Sequence, residues 1–136
     1  MIKRMIVAAV VLALGVATVG ALKAHAISSG KIVPITLNEF NVLPGFQSAP
    51  VGKVTFVVKN TGKVTHEFVV VRTVKPAGSL LKGGEADESG AAGEIGELKP
   101  GQTKKLTLTL KRGHYALLCN VAGHYMSGQF VDFYVH

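Results

Sequence analysis

Cys119 and His124 lie either side of the short run NVAG, with Gly123 between them. A thiolate and an imidazole at this spacing suit a strand end followed by a tight loop, so both side chains can face one point. Soft sulfur with imidazole nitrogen selects copper, zinc or iron-type ions over magnesium or calcium. A pair is a weak site, and His66 is the best-placed third donor, because it opens a strand-like run just after the turn at Asn60-Thr61-Gly62. Two imidazoles and one thiolate form a trigonal set of the kind that carries an electron-transfer copper with a weak axial group. Cys119 is the only cysteine of the chain, which excludes an internal disulfide framework.

These donors need a rigid scaffold, and the surrounding sequence reads as strands. LTLTL at 106–110 places Leu106, Leu108 and Leu110 on one face and Thr107 and Thr109 on the other, the period of a half-buried strand. Residues 31–40, 51–62 and 65–74, the run HYALLC, and the closing GQFVDFYVH read as further strands. Pro100-Gly101 and Arg112-Gly113 punctuate them. Residues 75–97 are rich in glycine, alanine and acid. They are expected to form a flexible surface loop with one short helical turn, or an acidic docking patch through Glu85, Asp87, Glu88, Glu94 and Glu97. No long amphipathic helix appears. The expected architecture is an all-β, antiparallel β-sandwich.

The chain opens with Lys3 and Arg4, an apolar run from Met5 to Leu22, and Ala24-His25-Ala26. That is the pattern of a secretory signal peptide over 1–26, with an uncleaved membrane anchor as the alternative. The expected domain is then 27–136, secreted or periplasmic, touching a membrane only if the first segment is retained. Of 15 basic residues, three (Lys3, Arg4, Lys23) leave with the leader, so 12 against 8 acidic residues gives +4. No basic run or basic patch interleaved with aromatics supports nucleic-acid binding. No Ser-His-Asp signature, HExxH helix or CxxC is present, and an enzyme is not expected.

Three stretches together resemble the cupredoxin, or type 1 blue copper, family, whose members include plastocyanin and azurin. They are KNTGKVTHEFVV, LKPGQTKKLTLTL and RGHYALLCNVAGHYMSGQF, in that order along residues 31–136. The resemblance implies a Greek-key β-sandwich, one copper ion per chain, and His66, Cys119 and His124 as equatorial ligands. It implies one-electron transfer by a monomer, with a redox donor and acceptor docking transiently at the His124 imidazole edge. The chain departs from many bacterial members at the axial position. Gln129 stands where they carry methionine, as in stellacyanin-like members, and Met126 is the rival axial donor. A glutamine oxygen favours Cu(II) and a low potential; a thioether raises it. A periplasmic copper carrier or storage protein is the alternative function, using the same donors with Met126 and His136 as extra contacts.

Around the His124 edge an apolar patch is expected from Val42, Leu43, Pro44, Val121, Ala122 and Met126. Glu67 occupies a position where the family often has asparagine; its backbone N–H is expected to point at the sulfur, or its charge to tune the site. Tyr125 is expected either exposed near the metal edge or packed at the sandwich rim. His114 is expected as an exposed turn residue. His136 has no spacing argument.

Overall fold

The computed structural model describes residues 30–136, so the leader expected over 1–26 lies outside the described residues. Among the described residues, no helix is long and apolar enough to cross a membrane. The described residues form eleven strands: β1 (Lys31–Asn38), β2 (Asn41–Pro44), β3 (Ser48–Ala49), β4 (Gly52–Asn60), β5 (His66–Arg72), β6 (Leu81–Lys82), β7 (Glu85–Ala86), β8 (Ala91–Leu98), β9 (Thr103–Leu110), β10 (Gly113–Leu118) and β11 (Phe130–Val135). One sheet has the order β2-β1-β4-β9, the other β3-β11-β10-β5-β8, and β6-β7 is a separate hairpin. The chain passes from the first sheet to the second between β2 and β3, between β4 and β5 and between β9 and β10, in the Greek-key manner. The all-β sandwich read from the sequence is the architecture observed, but its sheets are mixed rather than wholly antiparallel, because β1 pairs parallel to β4 and β3 parallel to β11.

Strand alternation builds the core. Val33, Ile35 and Leu37 of β1 and Val54, Phe56 and Val58 of β4 meet Phe68 and Val70 of β5 and Tyr115 and Leu117 of β10. Phe56 makes tilted and edge contacts with Phe68 and Phe133, at 5.4 and 5.6 Å between centroids. The continuous apolar runs FVVV and ALL have a separate cause. Val69, Val71, Ala116 and Leu118 point to the other face of their sheet, where Ala77, Leu80, Ala86 and Tyr125 cover them. A sheet covered on both sides needs no polar alternation.

Ala77, Leu80 and Ala86 of that cover come from the segment expected to be a flexible loop, and the structure corrects the expectation. The short helical turn is present, as a single 3₁₀ turn at Ala77–Ser79. Residues 91–98, however, are the edge strand β8, paired antiparallel to β5. Only Ile95 and Leu98 of β8 are buried. Two register shifts along the pair each leave an extra residue on the β8 side, between His66 and Phe68 and between Val70 and Val71. Bulges of this kind break the alternation by which an edge strand is read.

Candidate metal centre

Three elements converge at one end of the sandwich. His66 is the first residue of β5, Cys119 follows the last residue of β10, and His124 sits in the loop leading to β11. His66 and Cys119 are fully buried and His124 is half-buried. His66 shares the inward parity of Phe68 and Val70, and Cys119 that of Leu117, so the pleat aims both into the space between the sheets.

The loop is folded by its own backbone. His124 N donates to Val121 O at 2.9 Å, Gly128 N to Tyr125 O at 3.0 Å, and Cys119 N to Gln129 O at 3.0 Å. Gly123 and Gly128 take positive φ, +79° and +94°, where a β-carbon would be strained. Two side chains bind this loop to its neighbours. Tyr125 Oη donates to Ala77 O (2.7 Å) and accepts from Leu80 N (2.8 Å). Asn120 brackets Ala86 by both backbone groups and donates to Glu88 at 2.7 Å. Tyr125 is therefore buried rim packing, the second of its two expected environments.

The donor atoms form a close triangle. His66 Nδ1 and His124 Nδ1 are 3.2 Å apart, and Cys119 Sγ lies 3.8 Å from the first and 3.4 Å from the second. A point in their plane equidistant from all three, the circumcentre of a triangle of sides 3.2, 3.4 and 3.8 Å, is about 2.0 Å from each. Metal–imidazole and metal–thiolate bonds span roughly 2.0–2.3 Å, so the residues fit an ion of that class. They are the only group of three or more His, Cys, Asp or Glu donors so gathered among the described residues.

The polar surroundings are selective. Glu67 N donates to Cys119 Sγ at 3.3 Å, as the sequence led us to expect. Burial pushes the Cys119 thiol up from its ordinary range, while the backbone N–H groups of Glu67 and Val121 pull it down. Burial lowers the His66 pKa, His124 lowers it further, and Glu39 and Gln129 oppose the shift. Burial also raises the Glu67 carboxyl, reinforced by the charges of Glu88, Glu94 and Glu85.

Gln129 is fully buried. Its Nε2 donates to Asn38 O (2.8 Å) and Asn41 O (3.4 Å), which leaves Oε1 without a hydrogen-bond partner. Met126, the rival donor, is 64% exposed. His66 Nε2 is the other buried side-chain polar atom without a hydrogen bond among the described residues. Such atoms cost roughly 1–3 kcal/mol each when nothing satisfies them, and both adjoin the triangle.

Two expected placements are corrected. Val42 is buried by the alternation of β2 and leaves the apolar patch. Leu43, Ala122 and Met126 are exposed, and Pro44 and Val121 half-buried. Phe40, which the sequence reading passed over, stands edge-on to His124 at 5.4 Å and is 42% exposed. His114 is not a free turn residue. Its Nε2 pairs with Asp132 at 2.7 Å and its Nδ1 lies 3.1 Å from Thr73 O. His136 is exposed and stands outside the donor cluster.

Comparison with known proteins agrees with this geometry. No curated protein matches the sequence. Similar solved structures include auracyanin from the photosynthetic bacterium Roseiflexus castenholzii, with 23% identity, 79% of this chain and 98% of that chain covered, and a TM-score of 0.60. Rusticyanin from Thiobacillus ferrooxidans has 22% identity, 79% of both chains covered and a TM-score of 0.58. Auracyanin A, a "blue" copper protein from Chloroflexus aurantiacus, has 22% identity, 76% and 99% covered and a TM-score of 0.52. At these identities the likeness is one of fold. The model of the cupredoxin-like domain matches residues 8–131, and the chain belongs to that family.

Proposed function

We propose that the protein is an exported one-electron carrier that holds a single copper ion at His66, Cys119 and His124, with Gln129 as the axial donor. The observation that carries this reading is the donor triangle, with sides of 3.2 to 3.8 Å, closed by elements from two different strands and a loop. Copper bound there supplies a one-electron Cu(I)/Cu(II) couple. The chain supplies the rest. β5 and β10 hold His66 and Cys119 in buried, fixed positions, so donor geometry changes little between oxidation states. Glu67 N–H stabilises negative charge on the sulfur. The Asn38 and Asn41 carbonyls orient the Gln129 amide so that its oxygen remains free for the ion. Glutamine oxygen is a harder donor than a thioether, which favours Cu(II) and a lower potential.

His124 is the route to the surface. Its ring is half-buried and edge-on to exposed Phe40, and Ala122 and Met126 of the same loop are exposed. A small apolar rim of this kind suits the brief docking of a redox donor and acceptor, whose interfaces lie at the low end of protein contact areas. The basic start, the apolar run from Met5 to Leu22 and the pattern Ala24-His25-Ala26 support export to the periplasm or beyond, with an uncleaved membrane anchor as the alternative.

The test is cyclic voltammetry of the copper-loaded protein, paired with a competition against a Cu(I) chelator. A reversible one-electron wave with the metal retained in both states is expected. Rapid surrender of Cu(I) to the chelator would instead assign the chain to copper delivery or storage.

A further inference from the structure

The turn between β1 and β2 touches every nitrogen or oxygen donor of the centre. Asn38 and Asn41 fix Gln129, Phe40 stands against His124, and Glu39 reaches His66. The Glu39 contact has a chemistry of its own. Glu39 Oε1 accepts the backbone N–H groups of Lys63 and of Val64, the latter at 3.1 Å, and these fix the carboxylate across the turn that precedes β5. The turn is shaped around it, because a Cβ at Gly62 would collide with the same oxygen. That oxygen lies 3.9 Å from His66 Nε2, a buried nitrogen with no hydrogen-bond partner.

We infer that Glu39 is a positioning residue, whose carboxylate holds the proton of His66 on Nε2 and so presents Nδ1 to the ion as a bare lone pair. The inference rests on the copper reading above. A neutral imidazole carries one N–H and one acceptor nitrogen. A carboxylate that can only accept, fixed on the Nε2 side, selects the tautomer with hydrogen there. Nδ1 then faces His124 Nδ1 and Cys119 Sγ across the donor triangle. Outer carboxylates orient metal-binding histidines in this way and raise their basicity. Here the carboxylate also sets a negative charge one ring away from the ion, which favours Cu(II) over Cu(I).

The test has two arms, both on the full chain. Imidazole nitrogen NMR of the metal-free protein reads the His66 tautomer, and redox titration of the copper form reads the potential. Wild type is expected to carry Nε2–H. Glu39→Gln loses the charge, and at 3.9 Å its amide oxygen makes no hydrogen bond to Nε2, so the tautomer preference weakens and the Cu(I)/Cu(II) preference rises roughly tenfold, about 59 mV upward. Glu39→Ala is expected to lose the tautomer preference and to bind Cu(II) about 10- to 100-fold more weakly. Nδ1–H on His66 in the wild type, or a Glu39→Ala protein with unaltered tautomer and potential, overturns the inference. A protein that takes up no copper yet shows the Glu39-dependent tautomer sustains this inference and defeats the copper reading. A copper protein indifferent to Glu39 does the reverse.

Discussion

The two ends of the sandwich use histidine in opposite ways. At one end, His114 of β10 has both ring nitrogens engaged, Nε2 by Asp132 and Nδ1 by the Thr73 carbonyl. Asp132 also accepts Ala77 N at 2.8 Å, so the three groups tie the strands to the 73–77 segment. At the other end, His66 and His124 turn their Nδ1 atoms toward each other and toward a thiol, and a buried glutamine oxygen nearby has no partner. The residue type is the same, but the satisfaction differs. A histidine with every polar atom paired within the protein is part of the framework. A cluster that leaves buried donor atoms unpaired is complete only when something else binds.

Replacements that exchange these two roles give graded outcomes. The largest effect is expected for Cys119→Ser, which removes the soft donor. The thiolate-to-copper absorption should vanish and Cu(I) affinity fall by orders of magnitude, as read by visible spectroscopy and chelator competition. Next is Gln129→Met, which exchanges a harder axial donor for a softer one. The Cu(I)/Cu(II) ratio at a fixed potential should rise roughly tenfold or more, about 59 mV for each decade, while Met126→Ala should leave the potential unchanged. A shift with Met126→Ala and none with Gln129→Met would reverse the axial assignment.

His114→Ala probes the framework end. It should cost roughly 1–3 kcal/mol of unfolding free energy in urea, from the lost pairing to Asp132 and Thr73, and leave the copper spectrum untouched. The smallest effect is expected at Asp87. Its carboxyl is held below the ordinary value of 3.8, first by the Ser89 backbone N–H. A depressed acid contributes stability that is present above its unfolded pKa and lost as pH falls through the folded one. Asp87→Asn should therefore lower stability slightly at neutral pH, converge with wild type at acid pH, and so flatten the fall in stability below about pH 4.

Much of this contrast was legible in the chain itself. The strands β4, β5, β9, β10 and β11 follow from apolar periodicity, and His66, Cys119 and His124 from residue type and spacing. What escaped was set by tertiary contact. AAGEIGEL reads as a loop because only Ile95 and Leu98 turn inward and two bulges break its period. Asn38, Glu39 and Phe40 read as the end of the first strand, 31–40, whereas that strand stops at Asn38 and turns back into β2 at Asn41. Only folding brings Glu39 to His66 and the two asparagine carbonyls to Gln129. His114 next to Gly113 resembles a free turn residue, because its partner Asp132 lies 18 residues away. Local pattern identifies elements and donors, whereas the groups that orient those donors arrive from distant parts of the chain.

The most direct measurement is the combined optical and EPR spectrum of the purified protein after addition of Cu(II). The donor triangle predicts one copper per chain, an intense visible thiolate-to-copper band and an EPR signal with a narrow copper hyperfine splitting. A colourless protein, or one with the broad splitting of a tetragonal nitrogen and oxygen site, would contradict it.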